Sequence, residues 1–436
     1  ATGTSALPNS VGVWFWADNN SNIIGTNGSA AGGNVISGNS TSGIFILSGD
    51  DNVISGNYIG TDYQGMNAIP NVFGIEVRGS GGVIGGSGIE NRNVISGNSN
   101  TGVNLRQASN IRVEGNYIGL NSDGDDVLDG QSLGLRVNSG SGHTIRGNTI
   151  SGHEGSAIRI DNNVDGDVGA ENITVSGNMI GTNPAGTSVL GNAGSGIVIV
   201  GSSNNVIGGD LEADRNIISG SGGVYNNVFI RANGITLSDG SNNNTVSGNY
   251  IGSNANGMFG QDFGNTEHGI LISSGSTGNI IGTDQAGNGL GNVIVGNGGS
   301  VDGDGISVTD NSIQNRISGN SIFSNGGIGI DLDADGITIN DAGDADEGPN
   351  QLQNYPEIVS SEYNSNTDEL TIEYSISSDV SESAYPIEVQ FFKNQGNRQG
   401  ITYLGSDSYE ASAAGTVTQV TLPLSGTNTV TLGEDV

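Results

Sequence analysis

The stretch that decides the fold is residues 52–62, NVISGNYIGTD, in which short apolar segments alternate with Gly-Asn and polar bends. Its first half, N-V-I-S-G-N, begins at Asn34, Asn52 and Asn93, and variants of it recur until Asn320. A second phrase, Gly-apolar-x-apolar, recurs from Gly12 to Gly329. A two-residue apolar period is that of a strand and not of a helix. The sequence therefore predicts many short strands separated by bends.

These phrases nest in a longer repeat. Asn57, Asn116, Asn178 and Asn249 each begin an Asn-x-Ile-Gly phrase, and they lie 59, 62 and 71 residues apart. Short strands stacked at a regular period are typical of a parallel β-solenoid. We expect about three coils of roughly 20 residues in each interval, hence on the order of 16 coils and a rod of roughly 75 Å. Ile and Val would lie inside, and stacked Asn side chains would bond along the axis.

The composition excludes several classes of protein. Of 436 residues, 77 are glycine and 56 are asparagine, both poor helix formers. No apolar stretch is long enough to span a membrane. With 12 basic and 45 acidic side chains the net charge is −33, which argues against a nucleic-acid partner. There is no cysteine, which leaves the redox compartment open. The acidic balance favours an extracellular or cell-surface location.

The repeat resembles the right-handed parallel β-helix proteins of the pectate-lyase-like superfamily, and more narrowly the β-helix repeats of bacterial secreted and surface proteins. The resemblance is carried by residues 52–62 and the related segments 111–121, 172–183 and 244–254. It implies an all-β chain with a β-helix over residues 1–350. It implies no particular activity, because the superfamily includes lyases, hydrolases, epimerases, adhesins and inert scaffolds.

The last part of the chain has a different pattern. After about residue 350 the alternating runs lengthen, as in residues 370–376 and 387–392, which predicts a small antiparallel β-sandwich over residues 351–436. The resemblance implies an Ig-like domain that ends with one more strand than is visible before Val436. An incomplete sandwich can accept a strand from a neighbour. A cut end explains the same observation equally well.

The beginning of the chain also looks incomplete. Ala6 and Gly12 align with Ala68 and Gly74 at an offset of 62, so residue 1 corresponds to the middle of a coil. Either the chain is cut here or another subunit stacks on this end. Two unfinished ends on a rod would allow head-to-tail self-association into a polymer.

An acidic segment at 331–346 predicts a calcium site. Asp331, Asp333 and Asp335 match the first half of a calcium-binding loop, D-x-D-x-D-G. The twelfth position is Ala342 instead of Glu, so further oxygens would have to come from elsewhere in the segment. The candidate ligands are Asp331, Asp333, Asp335, Asp341, Asp344 and Asp346. The alternative is a solvated acidic linker.

The two tryptophans predict a binding surface. Comparison of the repeats places Val13 and Phe15 inside, so Trp14 and Trp16 point outward. Phe45 and Leu47 take the equivalent outward positions in the next comparable strand. Exposed aromatic groups favour a subunit or domain interface, with a sugar-stacking platform as the alternative. Residues upstream of the visible start could also cover them.

No catalytic residue stands out. A β-helix lyase needs a basic residue near a substrate carboxylate, but residues 1–350 contain no lysine and their arginines are scattered in sequence. No carboxylate pair suggests a hydrolase. The densest mixed neighbourhood comprises His143, Arg146, His153, Glu154, Arg159 and Asp161.

The sequence thus favours an extracellular structural or adhesive protein, a subunit of a filament assembled head-to-tail. The first alternative is a polysaccharide lyase or glycoside hydrolase acting on an extracellular acidic glycan. The second is a carbohydrate-binding adhesin that uses Trp14 and Trp16.

Overall fold

Three parallel β-sheets run the length of residues 11–332 and form the sides of a β-helix. The computed structural model describes residues 8–26, 33–162, 169–260, 262–299, 302–394 and 398–424. Each coil contributes one strand to each sheet, and strands pair in parallel only with those of the coils above and below. The prediction of an all-β parallel β-helix followed by antiparallel sheets is therefore confirmed.

The strands are short, as the Gly and Asn bends predict. Sheet 1 consists of Val11–Phe15, Ser42–Ile46, Phe73–Val77, Thr101–Ser109, Leu133–Ser141, Ile158–Asp161, Ile197–Val200, Ile235–Ser238, Ile270–Ile272, Ile306–Val308 and Ile330–Leu332, with Ala170–Glu171 paired to Leu133–Ser141. Sheet 2 consists of Ile23–Gly25, Val53–Ser55, Val83–Gly85, Arg112–Glu114, Thr144–Arg146, Thr174–Ser176, Val206–Gly208, Thr245–Ser247, Ile280–Gly282 and Arg316–Ser318. Sheet 3 consists of Val35–Ile36, Tyr58–Ile59, Val94–Ile95, Tyr117–Ile118, Thr149–Ile150, Met179–Ile180, Ile217–Ile218, Tyr250–Ile251, Val293–Val295 and Ser321–Phe323.

The coils are longer and fewer than expected. Sheet 1 has one strand per coil and eleven coils along its main path, not about 16. Paired residues in neighbouring coils are 23 positions apart between Leu135 and Ile158, and 39 apart between Ile158 and Ile197. The intervals of 59, 62 and 71 residues therefore hold two coils each. The Asn-x-Ile-Gly phrase marks every second coil, where a longer turn follows sheet 3.

The core is a set of apolar rows parallel to the axis. In sheet 1, the inward row that includes Ile44, Ile75 and Ile306 has no exposed member from Ile44 to Ile306. Burial of each such side chain stabilises the fold by about 1.5–3 kcal/mol. The repeated Gly-apolar-x-apolar phrase is thus the sequence of a half-buried strand, with alternate residues turned inward.

An asparagine ladder runs along the bend between sheets 2 and 3. Each Nδ2 donates to the Oδ1 of the asparagine in the next coil, with donor–acceptor distances between 2.8 and 3.1 Å. The ten members are Asn34, Asn57, Asn93, Asn116, Asn148, Asn178, Asn216, Asn249, Asn292 and Asn320. This confirms the expected stacking. The glycine that ends the preceding strand lies against the ladder: at Gly208 φ is +93°, and a Cβ would lie 1.9 Å from the Ser247 carbonyl oxygen.

The C-terminal region consists of two antiparallel sheets. One contains Glu357–Asn364, Glu369–Ser375 and Thr418–Pro423, and the other contains Ile387–Asn394 and Gly400–Tyr409. Their shared core includes Leu370, Ile372 and the buried rings of Tyr374 and Tyr409. The predicted missing last strand would come after Val436, and residues 425–436 before it lie outside the described part of the chain.

The C-terminal region caps the last coil of the β-helix. Gln399 Oε1 accepts hydrogen bonds from Asn325 N at 2.9 Å and Nδ2 at 3.2 Å, as a further ladder asparagine would. Asn350 Oδ1 accepts in the same way from Asn315, and Gln390 Oε1 accepts from Gly319 N at 2.8 Å. Solenoids need such caps at their ends. These donors of Asn315, Gly319 and Asn325 are thus bonded within the chain.

Within the described ranges, no helix has the length and apolar character needed to cross a bilayer. The helical segments are short 3-10 turns, at Ile89–Asn91, Glu212–Asp214, Pro349–Leu352 and Ala411–Ala413.

Candidate functional site on the outer face of sheet 1

The aromatic residues singled out from the sequence lie on the outer face of sheet 1, in its first coils. Trp14 is 50% exposed and Trp16 is 66% exposed. Their ring centroids are 4.9 Å apart, and Trp14 stacks on Phe45 at 6.1 Å with an interplanar angle of 25°. Leu47 follows on the same side and is half-buried. The Trp16 ring meets the Trp14 ring edge to face at 66°, so the three rings form an aromatic platform at one end of the face that is not flat.

Beyond the platform, the next four strands of sheet 1 turn charged and amide side chains outward. Register pairing places them in two adjacent columns, four residues each. We name this group the arginine face: Glu76, Asn104, Arg136 and Arg159 in one column, and Arg78, Arg106, Asn138 and Asp161 in the other. It carries four of the chain's eleven arginines and has a formal charge of +2, on a protein of −33.

Three of the four arginines are already paired with carboxylates. Asp161 is almost fully buried and accepts from Arg136 Nε and Nη2, the shorter bond being 2.8 Å. Its Oδ2 also accepts from Arg159 Nε at 2.7 Å. Arg78 Nη2 lies 3.1 Å from Glu76 Oε1, and its guanidinium lies 5.4 Å from the Phe45 ring centroid. These pairs hold the face in a fixed arrangement.

The centre of the arginine face holds unsatisfied polar atoms. Arg106 forms no ion pair among the described residues, and its buried Nε has no hydrogen-bond partner. Asn104 is on the same strand as Arg106, and Asn138 is its register partner on the next strand. The Oδ1 atoms of both are also buried without a partner. Unsatisfied buried polar groups are rare and costly in native proteins. Arg106 as a whole is only half-buried, so its guanidinium suits the carboxylate of a ligand lying on the face.

Sequence reasoning missed this group because its arginines are far apart in sequence. The residues that meet are 23 to 32 positions apart, for example Arg106 and Asn138, or Arg136 and Arg159. The signal was present in the phrase G-L-R-V beginning at Gly134, which places an arginine at an outward position of a sheet 1 strand. Only the coil length shows which outward positions are neighbours.

The structure separates the mixed neighbourhood expected around residue 153. Arg159 and Asp161 lie on the arginine face, but Arg146 lies on sheet 2, 3.7 Å from Asp214. His143 and His153 are buried in the bends, and Glu154 is exposed. The six residues therefore do not share one face.

The acidic segment is divided in the structure. Asp341, Asp344 and Asp346 each place a carboxylate oxygen within 4.8 Å of the others. Asp331 is in the last strand of sheet 1, buried, with Oδ2 accepting from Gly336 N at 3.1 Å. Its burial raises the pKa of Asp331 to about 6, with a smaller contribution from Asp304. Asp333 and Asp335 are exposed beside it.

The three grouped carboxylates differ in how far they are already satisfied. Asp344 accepts from Asn354 N at 2.7 Å and from the hydroxyls of Ser378 and Ser383. Asp346 Oδ1 is buried without a partner. Burial, followed by the carboxylates of Asp341 and Asp344, raises the pKa of Asp346. Calcium at this segment stays a prediction.

The calcium prediction has a direct measurement in thermal unfolding. Because a ligand that binds only the folded state stabilises it, calcium at 100 times its dissociation constant should add about 2.7 kcal/mol. Asp346→Asn should abolish the calcium-dependent rise in the midpoint temperature. Asp18→Asn, an exposed carboxylate outside the segment, should leave the rise intact. An equal loss in both variants would mean that calcium acts only through the overall negative charge.

No protein-family profile matches the chain. No curated protein matches it either. Solved structures do resemble it. The DFA-IIIase from Arthrobacter chlorophenolicus A6 in complex with GF2 is 14% identical, with a TM-score of 0.36 over 70% of this chain and 66% of that one. The chain thus spans just under two thirds of that enzyme.

Two further solved structures resemble the chain with comparably low sequence identity and TM-score. An alginate lyase from Paenibacillus sp. str. FPU-7 is 13% identical over 66% of this chain and 97% of that one, with a TM-score of 0.33. The Azotobacter vinelandii mannuronan C-5 epimerase AlgE6 A-module is 16% identical over 67% and 74%, with a TM-score of 0.31. Similarity at this level carries no argument about activity. The fold assignment rests on the strand pairing of the chain itself.

Proposed function

We propose that the protein binds an extracellular acidic polysaccharide along the outer face of sheet 1. The observation that carries the proposal is Arg106, half-buried, without an ion pair among the described residues, and next to the amides of Asn104 and Asn138. A hexuronate unit offers a carboxylate to the guanidinium and hydroxyl donors to the two amides. The proposal keeps the acidic glycan of the first alternative, a lyase or hydrolase, but concerns binding and not catalysis, and it replaces the filament as the preferred function.

The rest of the face supports a chain-like ligand. The platform of Trp14, Trp16 and Phe45 continues into the arginine face along the same outward columns, because Phe45 pairs in register with Glu76. Flat aromatic rings offer apolar contact to sugar rings at one end, and guanidinium groups offer charge-assisted bonds in the middle. A linear polymer lying along the rod would meet both. The −33 net charge disfavours a non-specific attraction to polyanions, so recognition would have to be local.

Replacing Arg106 should weaken this binding specifically. We expect Arg106→Met to reduce the affinity for polygalacturonate roughly 10- to 100-fold, since hydrogen bonds to charged groups contribute about 1.5–3 kcal/mol. Affinity is measured by isothermal titration calorimetry, with dextran as the neutral polymer. Arg112→Met is the matched control. Arg112 is exposed on a strand of sheet 2, outside the arginine face, and its loss changes the net charge equally.

Four outcomes of that experiment are informative. Equal weakening by both variants would show that only net charge matters, and equal binding of dextran would show that carboxylates are not recognised. No binding of polygalacturonate or alginate by the wild type would contradict the proposed function itself. Release of unsaturated or reducing ends from the bound polymer would add catalysis to binding.

Head-to-tail assembly, an adhesive role and an extracellular location stay predictions. The hydrogen-bond donors of the last coil are bonded to Gln399, Asn350 and Gln390 of the same chain. This is why the filament is no longer preferred. The sandwich edge that was expected to accept a donated strand adjoins residues outside the described part of the chain.

A further inference from the structure

A chamber of about 730 Å³ separates the last coil from the C-terminal sheets. Its floor is the end of the β-helix core. In sheet 1, Ile306 is fully buried, whereas Ile330, its partner in the last coil, is 43% exposed. Ile330 lies in the last strand of sheet 1, so no further coil of the described residues covers it. The cap therefore closes the rim of the coil and leaves the middle of the core facing a void.

Both walls of the chamber contribute apolar side chains, among polar ones such as Asn320, Thr338 and Gln353. Ile317 and Leu332 line it from the coil, and Ile376, Val389 and Phe392 line it from the C-terminal sheets. At the rim, the two parts are held together by polar bonds, including Ser321 Oγ to the Ile401 carbonyl oxygen at 2.5 Å. Close packing is the rule in protein interiors, and voids larger than a few water molecules are few. A chamber of this volume is within the range of small-molecule sites, about 300–1,000 Å³.

The rim carries two arginines in different states. Arg316 is paired with Glu388 at 2.5 Å. Arg398 is exposed, its guanidinium lies 5.6 Å from the Tyr355 ring centroid, and it takes part in no ion pair of the described residues. Both Arg398 and Tyr355 line the chamber. An apolar interior with one unpaired cation at its rim complements an anion with an apolar tail.

We propose that this chamber binds an anionic amphiphile with a single apolar chain, its carboxylate at Arg398 and its tail against the end of the β-helix core. The site is separate from the arginine face and does not depend on the function proposed there. Its ligand differs in class from a polysaccharide, because apolar side chains from both the last coil and the C-terminal sheets face the chamber.

The first test fills the chamber in the full chain. The wild type should bind dodecanoate in isothermal titration calorimetry, and Ile330→Trp should weaken that binding at least roughly tenfold by occupying the space. Ile339→Trp is the matched control, because Ile339 is 79% exposed and does not line the chamber. If Ile330→Trp unfolds, Ile337→Trp supplies the same test, since Ile337 also lines the chamber and is 45% exposed.

The second test separates the head from the tail of the ligand. Arg398→Gln should weaken dodecanoate binding roughly tenfold and leave dodecanol binding unchanged. The proposal is wrong if the wild type binds neither probe, or if the filled variants bind dodecanoate as tightly as the wild type. It is also wrong if sedimentation shows that a second copy of the chain occupies the chamber, with dodecanoate leaving the dimer intact.

Discussion

Replacing Asn148 by alanine is expected to lower the free energy of unfolding by about 3–5 kcal/mol. Asn148 is fully buried in the middle of the ladder. Its Nδ2 donates to Val113 O, Arg146 O and Asn178 Oδ1, and its Oδ1 accepts from both N and Nδ2 of Asn116. Alanine removes all five bonds at once and leaves several buried partners unsatisfied. Each such group costs about 1–3 kcal/mol, so the losses dominate the effect.

The measurement is urea unfolding followed by circular dichroism, with Asn256→Ala as the control. Asn256 is exposed in a turn, so its replacement should change the free energy of unfolding by less than about 0.5 kcal/mol. Asn148→Asp should be at least as harmful as alanine, because a carboxylate can accept from Asn116 but cannot donate, and it buries a charge. A loss below about 1 kcal/mol for Asn148→Ala would mean that neighbouring coils adjust and the ladder is dispensable.

The fold was predictable because each coil repeats the same short sequence pattern of apolar strand residues and Gly-Asn bends. The phrase at residues 52–62 specifies two strands and the bend between them, and alternation within the strand correctly turns Trp14 outward and Val13 inward. The coil length was not predictable in the same way. Polar segments rich in Gly and Asn form both tight bends and long turns, so the phrase alone does not show how many strands lie between two of its occurrences.

The candidate site was less predictable than the fold, for a physical reason. Arg106 and Asn138 are brought together by strand register, which depends on the length of every turn between them. Outward positions show no sequence periodicity by which they could be aligned, because almost any residue type is tolerated where the side chain faces solvent. The buried positions are different. Residues 148–153 read N-T-I-S-G-H where residues 93–98 read N-V-I-S-G-N, so the sequence itself places His153 at a ladder position.

The second large effect is expected at His153, which interrupts the ladder formed by Asn39, Asn71, Asn98 and Gln131. The ring is 2% exposed, neither ring nitrogen has a partner, and Gln131 Nε2 beside it has none either. Burial lowers the pKa of His153 to about 4, and the nearby backbone carbonyls of Gln131 and Ile118 offset this only in part. Burial lowers the pKa of His143 to about 4 in the same way.

The sign of the pH effect follows from these values. An unfolded histidine has a pKa of about 6.5, so between pH 6.5 and pH 4 the unfolded chain binds more protons than the folded one. The contribution of the two neutral histidines to the free energy of unfolding is therefore fully present above about pH 6.5, and it falls as the pH is lowered toward 4. Lowering the pKa from about 6.5 to about 4 corresponds to about 3 kcal/mol for each buried histidine. At pH 4.5 most of that loss is already present.

His153→Asn should remove this acid sensitivity and continue the ladder. An asparagine could accept from Gln131 Nε2 and donate to Asn192 Oδ1, which already accepts from the backbone N of residue 153. The stability difference between variant and wild type should grow by about 2 kcal/mol from pH 7 to pH 4.5, measured by urea unfolding at both values. His153→Leu, which cannot titrate and cannot bond to Gln131, should show the same growth without the gain at pH 7. If the difference stays constant between the two pH values, the protonation of His153 does not limit stability, and the acid sensitivity has to come from other groups.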